Sequence, residues 1–133
     1  MAKERADADR QAAVDDAAAV RCAPCAHRLS ERAYRSEING AHEHTFVNPG
    51  GFLHHLGCFV AAPGCIHVGA TEQAFTWFPG WSWQVALCGQ CRAHVGWLFR
   101  CGGGQLRPPL PLGQTASGLS GQFHGLILAM LRA

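Results

Sequence analysis

Two pairs of cysteines with the same spacing, Cys22-Ala-Pro-Cys25 and Cys88-Gly-Gln-Cys91, constrain this chain more than any other feature of it. Two residues between thiolates let one tight turn aim both sulfurs at one point. Two such turns complete the tetrahedron of sulfurs, about 2.3 Å from the ion, that structural zinc takes. Pro24 and Gly89 suit turns of that kind. The other reading is a pair of disulfides or reduced core thiols. An odd count of seven cysteines and a start without a secretory pattern both favour metal. Because protein fills all four positions, a single Zn2+ is expected in a structural role, with no open place for a reacting water. It would tie residue 22 to residue 91 and contribute on the order of 10 kcal/mol of apparent folding free energy.

A chain of 133 residues makes one domain, and its 15% of charged and 48% of hydrophobic residues describe a folded, rather apolar protein. Residues 1–20 differ, with three basic and five acidic side chains and no aromatic, and read as a flexible N-terminal tail ahead of a domain over residues 21–133. Lys3, Glu4, Arg5, Asp7 and Asp9 interrupt any apolar leader, so a cytoplasmic address is expected, and no run of about 18 apolar residues predicts a membrane helix. Eight scattered Arg without Lys beyond the tail give no phosphate-tracking groove, so nucleic acid is not expected as a partner. After residue 20 there is no Asp, and after Glu43 the only carboxylate is Glu72, which leaves no residues for a two-carboxylate mechanism or an Asp-dependent triad.

From Thr45 onward the pattern is short strands at 52–56, 65–68, 74–78, 81–87 and 94–99, separated by Pro49-Gly50-Gly51, Pro63-Gly64 and Pro79-Gly80. Pro followed by Gly fits the centre of a type II turn, and the fold class is all-β with antiparallel pairing. Residues 102–122 hold six Gly and three Pro and read as a long loop, while the apolar run 123–131 is a last strand or a short helix. His42-Glu43-His44 puts two imidazoles on one face of a strand, though no third ligand stands at motif spacing.

All four Trp fall within residues 77–97. Trp77 ends one strand, Pro79-Gly80 turns the chain, and Trp83 shares a pleat face with Val85 and Leu87, as Trp97 does with Phe99. Trp77, Trp83 and Trp97 can wall a small box with Phe99 at its base. Indoles filling a core is the plain alternative. A box suits a cation or a flat neutral ring; with little negative charge beyond Glu72, a neutral ligand fits better, its polar atoms met by the open edge of the strand at Phe75, Thr76 and Trp77.

These residues resemble a known family. Cys22-x-x-Cys25, His42-Glu43-His44 with Phe46-Val47-Asn48-Pro49, Trp77-Phe78-Pro79-Gly80-Trp81-Ser82-Trp83, Leu87-Cys88-Gly89-Gln90-Cys91, His94-Val95-Gly96-Trp97 and Phe123-His124-Gly125-Leu126 are similar to the thalidomide-binding (CULT) domain of the cereblon family, especially its small single-domain bacterial members. The resemblance implies a β-tent of two antiparallel sheets pinned by a four-cysteine zinc site. It implies a non-catalytic, monomeric domain that takes a glutarimide or similar cyclic imide, a peptide C-terminal cyclic imide or a uracil-like ring. In that reading the Phe75 carbonyl accepts from the imide N–H, the Trp77 N–H donates to an imide carbonyl, and Asn48 sits at the mouth. The resemblance runs from Cys22 to about Leu131 and does not bring with it the family's ligase-adaptor surface. Trp81 stands where the family has Tyr.

An enzyme is the competing class. Methionine sulfoxide reductases of the B class are similar in their β-tent and double Cys-x-x-Cys site, and Phe99-Arg100-Cys101 echoes the stretch that carries their nucleophile, with Cys58 or Cys65 able to resolve a sulfenic acid. Gly102-Gly103-Gly104 then departs from that family's pattern.

Overall fold

The computed structural model describes residues 18–101 and 121–132. Its strands are β1 (Ala19–Cys22), β2 (Arg28–Glu31), β3 (Glu43–Val47), β4 (Leu53–Phe59), β5 (Cys65–Glu72), β6 (Trp81–Cys88), β7 (His94–Cys101), β8 (Gln122–Ile127) and β9 (Leu131–Arg132). They form two antiparallel sheets, a small one ordered β2-β1-β9 and a large one ordered β3-β4-β8-β7-β6-β5. The all-β class and the two sheets are as expected from sequence.

Period-two alternation gives the large sheet two buried faces. One carries Leu56, Cys58, Trp81, Trp97, Phe99 and Phe123, which pack with Phe78 and Ile38. The other carries Phe59, Cys88 and Leu126, which pack on Val20, Cys22 and Leu29 of the small sheet. Trp83 pairs across the ladder with Phe99, and Val85 with Trp97, so the aromatic residues of the β6–β7 hairpin share a face. Gly125 lies against Phe99: a methyl there would stand 2.9 Å from the Phe99 ring, so glycine leaves room for that ring beside β8.

Several expectations need correction. Ala19 and Val20, read as part of a tail, are buried in β1; residues 1–17 of that tail lie outside the described residues, as do residues 102–120 of the expected loop. Residues 74–78 are not a strand. Phe75 takes a left-handed φ of 58°, the Thr76 hydroxyl bonds Phe78, and the Trp83 indole takes the Ala74 carbonyl at 2.7 Å, so side chains claim backbone groups that a ladder would need. Of the three Pro-Gly turns only Phe78-Pro79-Gly80-Trp81 has the type II form, with Gly80 at φ 88° and the Trp81 N–H donating to the Phe78 carbonyl at 2.9 Å. Gly64 is needed for another reason: a Cβ there would lie 1.9 Å from the Arg28 carbonyl of the small sheet. The run 123–131 resolves as β8, a single 3-10 turn over Leu128–Met130, and β9.

On the sheet face away from the tryptophans, His67 of β5 meets His124 of β8, Nε2 to Nε2 at 2.9 Å. His124 is 3% exposed, and its Nδ1 has no partner among the described residues. Burial, with His67 and Arg100 nearby, lowers its pKa to about 4. The unfolded imidazole takes a proton below about 6.5, so between there and about 4 the unfolded chain holds more protons and stability rises with pH. Denaturant unfolding at pH 5 and pH 7 should show a gain on the order of 1–3 kcal/mol at the higher pH, reduced in His124→Gln. A flat profile over that interval would contradict the burial of a neutral ring.

Candidate functional site

The fold builds two centres, a sulfur cluster where the sheets meet and an aromatic cavity on the face of the large sheet that carries Trp83 and Trp97. The first is built by two turns of the same design. In the β1–β2 turn the Cys22 N–H donates to the His27 carbonyl at 2.8 Å and the Ala26 N–H to the Cys22 carbonyl at 2.7 Å. In the β6–β7 turn the Cys88 N–H donates to the Ala93 carbonyl at 2.8 Å and the Arg92 N–H to the Cys88 carbonyl at 3.0 Å. Each turn forces the residue after its second cysteine into the left-handed region, Ala26 at φ 64° and Arg92 at φ 67°. The Gln90 N–H also points at the Cys88 sulfur, 3.4 Å away.

The sulfurs of Cys22, Cys25, Cys88 and Cys91 all lie within 4.8 Å of one another and could hold a metal ion. Cys22 to Cys91 and Cys25 to Cys88 are each 3.6 Å, far beyond the length of about 2.05 Å of a disulfide. A tetrahedron with metal–sulfur bonds of about 2.3 Å has sulfurs about 3.8 Å apart, so the cluster fits a soft divalent ion such as zinc. In the metal-free chain burial pushes the Cys22 thiol up to about 12, so binding an ion displaces a proton and weakens in acid.

The second centre is a cavity of about 420 Å³ lined by Asn48, Pro49, His54, Phe75, Trp77, Trp83, Val85, His94, Trp97 and Phe99. Trp77 stacks on Phe46 at 5.1 Å and meets Trp97 edge to face at 4.9 Å, so two indoles make a corner instead of collapsing face to face. Its indole N–H donates to the Val47 carbonyl at 3.2 Å, and the Trp83 indole N–H to Ala74, which anchors one wall to the end of β3 and the other to the segment before β6. His54 and His94 pack against Trp97 at 5.1 and 4.8 Å, their rings close to perpendicular to the indole. His94 Nε2 bonds the Gly96 carbonyl at 3.0 Å, and burial lowers the pKa of its ring, which keeps it neutral near pH 7.

Of the seven residues expected to bind a ligand, Asn48, Phe75, Trp77, Trp83, Trp97 and Phe99 line the cavity. Thr76 does not; its hydroxyl turns to Phe78 and orders the loop. The backbone near Phe75 is a left-handed turn, not a strand edge, yet the Phe75 carbonyl and the Trp77 backbone N–H have no backbone partner among the described residues. Asn48 is also a turn residue: its Oδ1 accepts from the Phe52 N–H at 2.9 Å and its amide nitrogen lies 3.3 Å from His54 Nε2. Pro49, His54, Val85 and His94 were not foreseen as lining residues. Val85 was legible from its pleat face, whereas the histidines carried no spacing signal. His42 and His44 bond the carbonyls of Ser36, Ile38 and Ala41 and make no metal site among the described residues.

No family model matches the chain. Among curated proteins, cereblon of Drosophila pseudoobscura pseudoobscura is 31% identical over 99 residues, 70% of this chain and 16% of that protein. Cereblon of Danio rerio is 35% identical over 74 residues, 56% of this chain and 17% of that protein. The domain is of the cereblon type. The chain spans about one sixth of the length of these cereblons, and the likeness is a statement about this domain. No helix among the described residues is long and apolar enough to cross a membrane.

The left-handed residues after the two cysteine turns are points of backbone strain in this cereblon-type domain. Ala26→Gly and Arg92→Gly should each raise the thermal midpoint, by up to about 1 kcal/mol of stability, since glycine takes positive φ without a Cβ clash. An unchanged or lowered midpoint in both variants would show that the turns are not strained as described.

Proposed function

We propose that this domain is a non-catalytic receptor for a small, flat, neutral ring, of the glutarimide, cyclic imide or uracil type, and that a structural zinc ion held by Cys22, Cys25, Cys88 and Cys91 keeps its scaffold rigid. The observation that carries the reading is an open cavity with three indole walls and no carboxylate among its lining residues. A quaternary ammonium cage would gain from negative charge, which is absent among those residues. A neutral ring needs little polar matching, and the Phe75 carbonyl and Trp77 backbone N–H supply an acceptor and a donor at the lip. The peptide C-terminal cyclic imide belongs to the same ligand class, which the resemblance of the motifs implies.

A sulfoxide-reducing enzyme is the weaker reading. Cys101 ends β7 opposite Trp81 and packs against the aromatic core. Burial holds the Cys58 thiol up at about 12, and Cys65 stands opposite Cys88, at the other end of β6 from the Trp81 that faces Cys101, out of reach of a sulfenic acid there.

A ring of about eight heavy atoms, bound well below the ceiling of roughly 1.5 kcal/mol per atom, should have a micromolar Kd. Calorimetric titration with glutarimide should give that value, and with uracil a measurable one, whereas trimethylammonium compounds should give none. Trp77→Ala or Trp97→Ala should remove binding while the zinc content of the purified protein persists. Unaltered glutarimide affinity in both variants would overturn the pocket assignment, and tight binding of the ammonium compounds would replace a neutral ligand by a cation.

A further inference from the structure

A fifth cysteine stands beside the sulfur cluster, and neither the metal reading nor the pocket uses it. Cys65, the first residue of β5, lies directly opposite Cys88 of β6 in the antiparallel ladder. The backbone bonds show which kind of pair this is. The Cys65 N–H goes to the Ala62 carbonyl, the Cys88 N–H to the Ala93 carbonyl, and the flanking Gly89 N–H donates across to the Gly64 carbonyl at 2.9 Å. Cys65 and Cys88 therefore exchange no hydrogen bond with each other. In such a pair the Cα atoms approach to about 4.5 Å and the side chains leave the same face. That separation lies inside the range of about 4.4–6.8 Å that a disulfide spans. Both sulfurs are free thiols, and both side chains belong to the same apolar cluster, Cys88 buried and Cys65 partly exposed.

We infer that Cys65 and Cys88 form an oxidation site, in which a cross-strand disulfide between them withdraws Cys88 from the four-cysteine cluster. The oxidant is a hydroperoxide. One thiol of the pair takes an oxygen to become a sulfenic acid, and the peroxide leaves as the corresponding alcohol, or as water where it is hydrogen peroxide; the second sulfur then attacks, the S–S bond forms, and the oxygen leaves as water. Two thiols have lost two electrons and two protons, and the peroxide has gained them. Burial leaves little of Cys65 as thiolate, and its fixed place beside Cys88 offsets that by effective concentration. With Cys88 tied to Cys65, three cysteines remain, and the tetrahedron is broken. The loss of metal rests on the four-cysteine reading; the disulfide itself does not.

The test uses the full chain as purified, with its metal content measured first and stoichiometric hydrogen peroxide as the oxidant. Digestion without reductant, cleaving after Phe59 and Glu72, isolates Cys65 from every other cysteine, and fragmentation by mass spectrometry separates Cys88 from Cys91. The expected product joins Cys65 to Cys88, with zinc release in step with it. Cys65→Ser should hold the same metal before oxidation and release it several-fold more slowly. Linkages confined to Cys22, Cys25, Cys88 and Cys91, or equal release from Cys65→Ser, would overturn the proposal; the mapping of the parent chain decides even if that variant does not fold. A chain that carries no metal at all would instead count against the four-cysteine reading, and the Cys65–Cys88 linkage would then be judged by the mapping alone.

Discussion

Four sulfurs drawn to one point set how the two sheets meet. Cys22 ends a strand of the small sheet and Cys88 ends a strand of the large one, so the cluster spans the junction. The small sheet has little else to hold it, with short strands and a core in which Leu29 and Val20 lean on Phe59 and Leu126. Glycine at position 64 allows the Arg28 carbonyl to lie against the β4–β5 turn, which brings the two sheets within backbone contact. Such close approach is held where the chain is tied on both sides, and the cysteine turns supply the tie.

The same hairpin that ends in the second cysteine turn carries the aromatic walls. Trp83 and Val85 of β6, with Trp97 and Phe99 of β7, stand on one face of a ladder that closes in the second cysteine turn. A slip of one residue there would turn every one of these side chains to the opposite face. The register shift between Ala86 and Leu87 absorbs the fit between the turn and the regular ladder beyond it. The third wall arrives differently. Trp77 comes from the irregular segment between β5 and β6, and its place is fixed by the stacked ring of Phe46 and by the Val47 carbonyl.

How much of this was legible in the sequence follows from which signals are local. Cysteine spacing is local, and it named all four cluster residues. Alternation in β6 and β7 is local too, and it put Trp83 with Val85 and Trp97 with Phe99. The segment around Phe75 misled because it is a short run rich in aromatic residues that stops at Pro79-Gly80, while the bonds that keep it out of the ladder come from the Trp83 indole and the Thr76 hydroxyl, acting through space and through a turn. Ala19 and Val20 misled because they share the composition of the charged segment before them, while pairing with Glu31 and Ser30 across the ladder sets them in β1, where Val20 packs on residues distant in sequence such as Phe59 and Leu126. His54 and His94 became wall residues only through the fold that brings both to Trp97.

Why tryptophan, in a chain with one Tyr, makes these walls is answered by what an open slot requires. A cavity lined by Leu or Phe alone has no directional force holding its sides apart, and apolar side chains left free would close on one another. An indole has a broad apolar face and a single N–H at its edge. In Trp77 and Trp83 that N–H is bonded to a backbone carbonyl, which holds each ring by its rim. The left-handed backbone at Phe75 serves the same end: a non-glycine residue there costs on the order of 1 kcal/mol, and the turn it makes presents the Ala74 carbonyl to the indole of Trp83. The slot stays open because the indole N–H groups of these two walls are tied to the backbone, which fixes where the rings stand.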